Sequence, residues 1–350
     1  MVPERSRAAG DLPDMSDQYI DVVVVGAGPC GIAAGAAARQ AGFSTVLFDR
    51  GCVTQSILAY PYYMTFFSTA EKLEIAGVPF TIPDSKPNRR EALSYYRRVV
   101  RAHALDVRQY EEVITVEGVV GDFAVRTQPM NGAARVTRCN AVIIATGGFH
   151  EPNLLGVAGE DLPKVLHYYH EPYPFYNQDV VVVGGRNSAA EAALELFRNG
   201  ARVTLVHFLS TIDKGVKSWV VPDITNRLEN GEIPVYWRHR VSEVRAQSVV
   251  LREEGSGQET ELKNDWVLAL IGWHADPNLL ESIGVLIHEE SGIPSHDPAT
   301  MESNVPGVFV AGVLAAGNDA NKIFIENGKE HGGLIARALL GQSARQPVGS

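Results

Sequence analysis

Cysteine is scarce. The 350 residues contain three, Cys30, Cys52 and Cys139, and no two form a C-x-x-C pair. That excludes a disulfide scaffold and a multi-cysteine zinc site. Positive charge is also short: 31 Lys and Arg stand against 41 Asp and Glu, a formal net charge of −10. Such a surface repels phosphates, so no nucleic-acid partner is expected. Long apolar runs are missing too. The uncharged stretch 22–38 is broken by Gly26, Gly28, Pro29 and Gly31, which suits a turn in a soluble fold better than a membrane span. Within 1–18, Asp11, Asp14 and Asp17 interrupt any apolar segment, so a flexible polar tail is expected and not a secretory signal. The reading is a cytoplasmic protein with no membrane partner.

Glycine is plentiful, with 33 residues, above the usual ~7 %. Hydrophobic content of 45 % with 21 % charged is ordinary for a chain that buries a core, and the length suits two domains. Two segments, 19–49 and 179–208, share one pattern: a strand with four valines, a glycine turn, a small-residue helix and a second apolar strand. Valine runs fit parallel strands buried on both faces, and the order is that of a dinucleotide-binding βαβ unit. Between them, Leu93, Tyr96, Val100 and Ala104 predict a helix over 90–104. Short β-rich stretches over 107–140, broken by Gly118, Gly121 and Asn131-Gly132, predict a meander. A buried strand over 138–148 closes the first unit, and 151–174 serves as the crossing. Strands at 233–237 and 266–271 complete the second unit. A strand within 306–312 and a helix over 322–340, stopped by Gly341, then return to the first domain. The expected fold is α/β, with two Rossmann-like domains of the three-layer ββα type, the first discontinuous. The expected boundaries are 19–155 with 277–343, and 156–276, between tails 1–18 and 344–350.

Gly26-Ala27-Gly28-Pro29-Cys30-Gly31 is a full G-x-G-x-x-G between strand and helix. Gly26 permits the tight turn, Gly28 lets a pyrophosphate reach the backbone, and Gly31 lets helix and strand approach. Pro29 opens the helix, whose N–H groups face the phosphates. Asp49 ends the next strand, where a carboxylate can accept from an adenosine ribose. The second fingerprint, Gly184-Gly185-Arg186-Asn187-Ser188-Ala189, has Arg186 in place of the second glycine. Its guanidinium can meet a phosphate; Ser188 and Glu191 also read as an S-x-x-E capping box, so a merely well-capped helix is the competing reading. His207 stands where an NAD-binding acid is usual, which favours a 2′-phosphate and hence NADPH. Lys214 and Lys217 can add charge or simply be solvated. The N-terminus of the last helix, around 321–323, directs positive dipole at an anion such as the N1–C2=O edge of a reduced flavin. His167, His170 and Glu171 lack a third well-spaced ligand, so no metal site is expected. Trp237-Arg238-His239-Arg240 reads as a solvated basic face. Cys52 and Cys139 read as packing thiols. Cys30 lies in the first turn of the fingerprint helix, where the dipole lowers a thiol pKa and a nearby pyrophosphate raises it. Redox and packing roles both stay open for it.

With these motifs assembled, residues 19–341 resemble the thioredoxin-reductase-like flavoproteins, and within them the bacillithiol-disulfide reductases of the YpdA type. The resemblance rests on GAGPCG at 26–31 and YPYYMTFFSTAEKLEIAGVPF at 60–80. HYYHEPYPFYNQDVVVVGGRNSAAEAALEL at 167–196 and AGVLAAGNDANKIFIENGKEHGG at 311–333 extend it. It implies FAD in the first domain, NADPH in the second, a cytosolic homodimer and a small-molecule disulfide as substrate. Cys30 is the redox residue it implies. Val113, Thr146, Gly147, Gly312, Asn318 and Ile323 complete the candidate flavin contacts. Departures are informative. No C-x-x-C exists, so thioredoxin reduction through a dithiol relay is excluded. The Gly-Asp flavin contact of the thioredoxin reductases reads Gly312-Val313 here, so Asn318 or helix N–H groups must substitute for the carboxylate. Asp49 replaces the usual glutamate. Tyr60 to Ser68, with Met64, can pack on the isoalloxazine or form an ordinary aromatic core.

The implied chemistry is hydride transfer from NADPH to FAD and then reduction of the disulfide, through a mixed disulfide on Cys30 or directly from the flavin. Two alternatives compete. One is a cysteine-independent NADPH reductase for ferredoxin, flavodoxin or a quinone. The other is a non-catalytic redox sensor, which Arg186 and Val313 favour.

Overall fold

The structure, a computed structural model, describes residues 19–149, 151–319 and 322–344. Its first sheet is built outward from the first valine run. Tyr19–Val25 lies between the parallel strands Thr45–Asp49 and Arg135–Ile144, and Asp106–Gln109 adds to the Thr45–Asp49 edge. The long strand Arg135–Ile144 serves two further neighbours. Its first half pairs antiparallel with Asp122–Pro129, which pairs with Glu111–Val119 to complete the meander. Its second half pairs parallel with Val308–Val310. The C-terminal part of the chain therefore returns to the first sheet, and this domain is discontinuous. Val22, Val23 and Val24 are essentially inaccessible, each burial contributing roughly 1.5–3 kcal/mol.

Small residues make the helix layer tight. Helix Pro29–Gln40 packs on helices Arg89–Ala102 and His331–Ser343. A Cβ on Gly35 would come within 2.9 Å of Leu47, and one on Gly332 within 2.8 Å of the Ala33 carbonyl. Helix Arg89–Ala102 begins one residue before its predicted start, because Asn88 and Glu91 form a reciprocal capping box at 2.9 Å in each direction.

The second sheet runs Val235–Trp237, Arg202–His207, Asp179–Val183, Trp266–Ala269, Val165–Leu166, all parallel. A three-stranded antiparallel sheet, His239–Arg245, Ser248–Glu253 and Glu259–Lys263, is inserted before Trp266. Where the chain crosses between units, Glu151–Pro152 and Trp273–His274 pair antiparallel. Phe149 and Tyr168 pack on Trp273 there in tilted ring contacts, with centroids at 4.5 and 4.2 Å.

Three local expectations need correction. Residues 106–109 form a parallel edge strand and not part of the meander. The predicted helix over 322–340 is two helices, Ile325–Gly328 and His331–Ser343. Asn327 folds back to bond the Lys322 carbonyl and the Phe324 N–H, which caps the start of the first helix at Phe324 and not at Lys322. Gly341 does not stop the second helix, which runs to Ser343.

Candidate active site

Three glycines of the first fingerprint divide the labour by geometry. Gly26 has φ +108°, and a Cβ there would sit 2.4 Å from the Ala145 carbonyl oxygen. A Cβ on Gly31 would meet the Gly26 carbonyl oxygen at 2.0 Å, whereas one on Gly28 would meet nothing within 4 Å. Gly26 and Gly31 therefore shape the turn, and Gly28 leaves backbone open in front of a helix N-terminus. That is the cradle a pyrophosphate needs, so these residues fit FAD. Asp49 holds the cradle from behind: its carboxylate accepts from the Ala27 N–H at 2.7 Å and the Gly51 N–H at 2.8 Å. Thr146 and Gly147 follow the end of Arg135–Ile144, with the Thr146 nitrogen close to Gly26. Val113 lies at the irregularity of the Glu111–Val119 ladder and packs into the first core.

The Cys30 side chain is wedged between two glycines. A Cβ on Gly312 would lie 2.8 Å from the Cys30 Cβ, and one on Gly328 would lie 2.9 Å from its Sγ and 3.0 Å from Ile323. Burial, with the Glu326 carboxylate adding repulsion, pushes the thiol up to about 12. Burial likewise pushes the Tyr60 hydroxyl up to about 12, with Cys30 and Glu326 contributing. The Ser68 hydroxyl donates to the Glu326 carboxylate. Ring contacts place Tyr60 against Phe149 at 4.9 Å, at the mouth of the crossing. Gly312 donates its N–H to His331 Nδ1 at 3.1 Å, and burial holds His331 below its usual value, as a neutral acceptor must be. Glu326 and His331 escaped the sequence reading, because neither stands at a recognisable spacing. Of the other thiols, Cys139 is buried and pushed up to about 12 by that burial. Cys52 lies 3.2 Å from Gln55 Oε1.

The remaining C-terminal candidates lie farther along. A Cβ on Gly148 would lie 3.6 Å from Val313, and the Asn318 side-chain amide lies against Gly292 while the Asn318 backbone N–H donates to the Ser291 carbonyl. Lys322 is exposed and 3.7 Å from Asp319. Asn321 falls outside the described residues.

At the second fingerprint, Gly184 has φ +142°, and its Cβ would strike the Leu270 carbonyl oxygen at 2.4 Å. The capping box expected at Ser188 and Glu191 is absent. The helix is Asn187–Arg198, with Arg186 at the cap and no side-chain cap bond, so Ser188 lies inside the first turn. Asn187 instead ties down the next loop, accepting from Lys217 N–H at 2.9 Å and donating to the Gly215 carbonyl at 3.2 Å. Asp213 completes the strap: its N–H donates to the Gly185 carbonyl, and its carboxylate lies 3.3 Å from Arg186. His207 is 5 % exposed, and neither ring nitrogen has a hydrogen-bond partner. Its ring lies under Gly185, 2.3 Å from where a Cβ would be. Orphaned nitrogens beneath a glycine turn that leads into a helix N-terminus fit a site for a phosphorylated nucleotide.

The aromatic stretch 60–68 divides its contacts. Tyr62 donates its N–H to the His170 carbonyl at 2.8 Å and stacks on the His170 ring at 5.5 Å. Phe67 meets Trp219 at 5.8 Å, and the Lys217 ammonium lies over Phe67 at 5.2 Å and Phe324 at 5.7 Å. Lys217 therefore bridges the two units. Burial raises Glu191, near Lys217, to about 7. His167 lies 3.6 Å from Glu160. Among the described residues no group of three His, Cys, Asp or Glu is placed to hold a metal, and no helix is long and apolar enough to cross a membrane.

Two dinucleotide turns, joined by a narrow crossing and sharing an aromatic seam, define a two-nucleotide flavoprotein oxidoreductase. The chain belongs to the pyridine nucleotide-disulphide oxidoreductases, whose family profile matches residues 23–312. It is 43 % identical over 318 residues to the bacilliredoxin reductase Bdr of Bacillus subtilis, covering 91 % of this chain and 96 % of that protein. Among solved structures it is similar to the bacillithiol disulfide reductase Bdr (YpdA) of Bacillus cereus, with a TM-score of 0.90 and 38 % identity over 93 % of this chain and all of that one. The bacillithiol disulfide reductase Bdr (YpdA) of Staphylococcus aureus gives 0.88 and 39 %, over 94 % of this chain and all of that one. This chain is accordingly an NADPH-dependent, FAD-containing disulfide reductase by family.

Proposed function

We propose that this protein reduces the disulfide of a low-molecular-weight thiol, such as bacillithiol disulfide, at the expense of NADPH. The observation that carries the proposal is a single thiol, Cys30, held at the flavin-binding turn with no second cysteine beside it. The net reaction is RSSR + NADPH + H⁺ giving two RSH and NADP⁺. FAD, when bound, supplies the two-electron relay between nicotinamide and disulfide. The chain's own residues position it. Gly28 and Pro29 would hold the pyrophosphate on the turn that Gly26 and Gly31 shape, and Asp49, which fixes that turn, would lie at the ribose end of the site. Gly184, Gly185, Arg186, Asn187, Ser188, His207 and Lys217 would hold the NADPH.

Cys30 is the thiol on which a mixed disulfide can form. In that step the substrate S–S bond breaks, one half joins Cys30, and the Cys30 proton leaves with the other half as RSH. The electrons of NADPH then release the second RSH and restore the thiol. Burial and Glu326 raise the pKa of the resting thiol, so its proton leaves as the mixed disulfide forms. We place residues 19–155 and 277–343 in the FAD domain and 156–276 in the NADPH domain, in a cytoplasmic homodimer.

Anaerobic NADPH oxidation by the FAD-loaded protein tests the reading against bacillithiol disulfide, a bacilliredoxin carrying a bacillithiol mixed disulfide, ferredoxin and a quinone. Two thiols released per NADPH with the small disulfide is the expected outcome. Turnover confined to ferredoxin or the quinone replaces it with the cysteine-independent reading; turnover confined to bacilliredoxin moves the substrate from the small molecule to the protein.

A further inference from the structure

Residues 237–240 read from sequence as a solvated basic face. The fold gives one of them a different setting. Arg240 is the second residue of strand His239–Arg245 in the antiparallel sheet inserted into the second unit, just beyond the parallel strand Val235–Trp237, whose Trp237 pairs with His207. The Arg238 N–H donates to the Leu209 carbonyl at 3.0 Å, which pins this strand start against the loop after His207. The Arg240 guanidinium consequently lies 4.5 Å from the ring centroid of Phe208. Phe208 is 45 % exposed although it follows a buried strand.

The end of that strand is where an adenosine ribose lies in a dinucleotide fold. An acid there would select NAD, and the chain has none: the residue is His207, buried with both ring nitrogens unpartnered. Charged groups around it are Arg186 from the fingerprint, Arg240 from the inserted sheet and Asp213 from the strap. Asp213 is already engaged by Arg186 and by the Gly215 N–H at 2.7 Å. Glu254 pairs with Arg240. Both cations are thus held by carboxylates at the surface, where such pairs are weak and exchange readily for a dianionic phosphate.

We propose that Arg240, laid on Phe208 beside His207, is a specificity-determining residue that reads the 2′-phosphate of the pyridine nucleotide. The ring holds the guanidinium beside His207; Glu254 engages its Nε, and the phosphate displaces that carboxylate or takes the terminal N–H groups. The inference rests on the NADPH reading of this site. It adds a residue from outside the βαβ unit, on an element that the nucleotide fold does not itself require.

The test uses the FAD-loaded full chain and two nucleotide fragments that cannot turn over, adenosine 2′,5′-bisphosphate and 5′-AMP, titrated by calorimetry. Wild type should bind the bisphosphate more tightly. Arg240→Gln should weaken the bisphosphate about tenfold, the scale of one charge-assisted hydrogen bond, and leave 5′-AMP within about twofold. Arg240→Lys should recover part of the loss. Equal weakening of both fragments, or no weakening of the bisphosphate in a protein that still discriminates, overturns the role of Arg240. Wild type that fails to discriminate overturns the NADPH reading itself, and this inference with it. The Arg240 side chain is 60 % exposed, so the variants should keep the wild-type melting temperature, which is checked alongside.

Discussion

Alkylation of Cys30 in the resting protein tests the environment of the thiol directly. Cys30 lies at the N-terminus of helix Pro29–Gln40, a position that by itself lowers a thiol pKa. The surroundings reverse the sign. Walled by Gly312 and Gly328 and repelled by Glu326, the thiol is pushed from 9.0 up to about 12. Three units reduce the thiolate fraction near neutral pH about 1000-fold, since each unit is a factor of ten. Because the thiolate is the reactive form, the rate with iodoacetamide falls by a similar factor before any steric exclusion is counted. The assay is a time course at pH 7.5 on the oxidised, nucleotide-free protein, with each cysteine peptide followed by mass spectrometry. Unfolded protein supplies the reference rate. Cys30 should modify at least about 100-fold more slowly than in the unfolded chain. Glu326→Gln should speed it modestly, because burial is the larger cause. Modification of native Cys30 at the unfolded rate contradicts the raised pKa, since it requires a thiolate fraction that burial and Glu326 suppress.

Substitution of the fingerprint glycines separates folding from FAD binding. Gly26→Ala should destabilise the protein by about 2 kcal/mol or more in a denaturant titration, through strain at positive φ and the clash with Ala145. Gly28→Ala should leave the flavin-free protein within about 1 kcal/mol of wild type yet lower FAD affinity at least about tenfold, measured by flavin fluorescence. Equal stability losses at both positions refute the assignment of Gly28 to the ligand. Glu191 offers a pH signature. Its folded pKa of about 7 lies above the ordinary 4.5, so the folded state holds the proton more tightly. Stability from this group is present below 4.5 and lost as pH rises from about 4.5 to 7. Glu191→Gln should raise the Tm of the nucleotide-free protein at pH 8, with up to ~3 kcal/mol recovered, and change it little at pH 4.5. A gain at acid pH alone contradicts that sign.

The valine runs and glycine turns made both nucleotide folds legible, because their signals are local: a strand buried on both faces must be apolar throughout, and a turn at positive φ selects glycine. The return of Val308–Val310 to the first sheet was also readable, since a spare strand after a complete unit needs a partner. Other features depend on tertiary contact and left no such mark. Strands 239–263 alternate Arg and Glu, a pattern shared by any solvated face, so Arg240 looked idle until the fold laid it on Phe208. The capping box expected at Ser188 and Glu191 failed because Asn187 and Arg186 serve the Asp213 strap instead, and burial near Lys217 set the ionisation of Glu191. The real box, Asn88 with Glu91, stands at the same spacing in an N-x-x-E form. Glu326 reaches Cys30 only because residues 325–328 form their own short helix. The pKa of Cys30 followed the same rule: the helix position was visible in sequence, whereas the walls that outweigh it come from residues nearly three hundred positions away.

Disulfide turnover by the FAD-loaded protein and its Cys30→Ser variant, with NADPH in excess and bacillithiol disulfide as acceptor, bears most directly on the proposed chemistry. Serine keeps the size of the side chain and removes the sulfur that can hold a mixed disulfide. Flavin reduction by NADPH, followed at its visible absorbance in the absence of disulfide, should stay within about twofold of wild type, since hydride transfer needs no thiol. Disulfide reduction should fall at least about 100-fold, the scale on which loss of a covalent nucleophile is felt. Undiminished turnover in the variant contradicts the role of Cys30 and leaves the flavin to reduce the disulfide unaided.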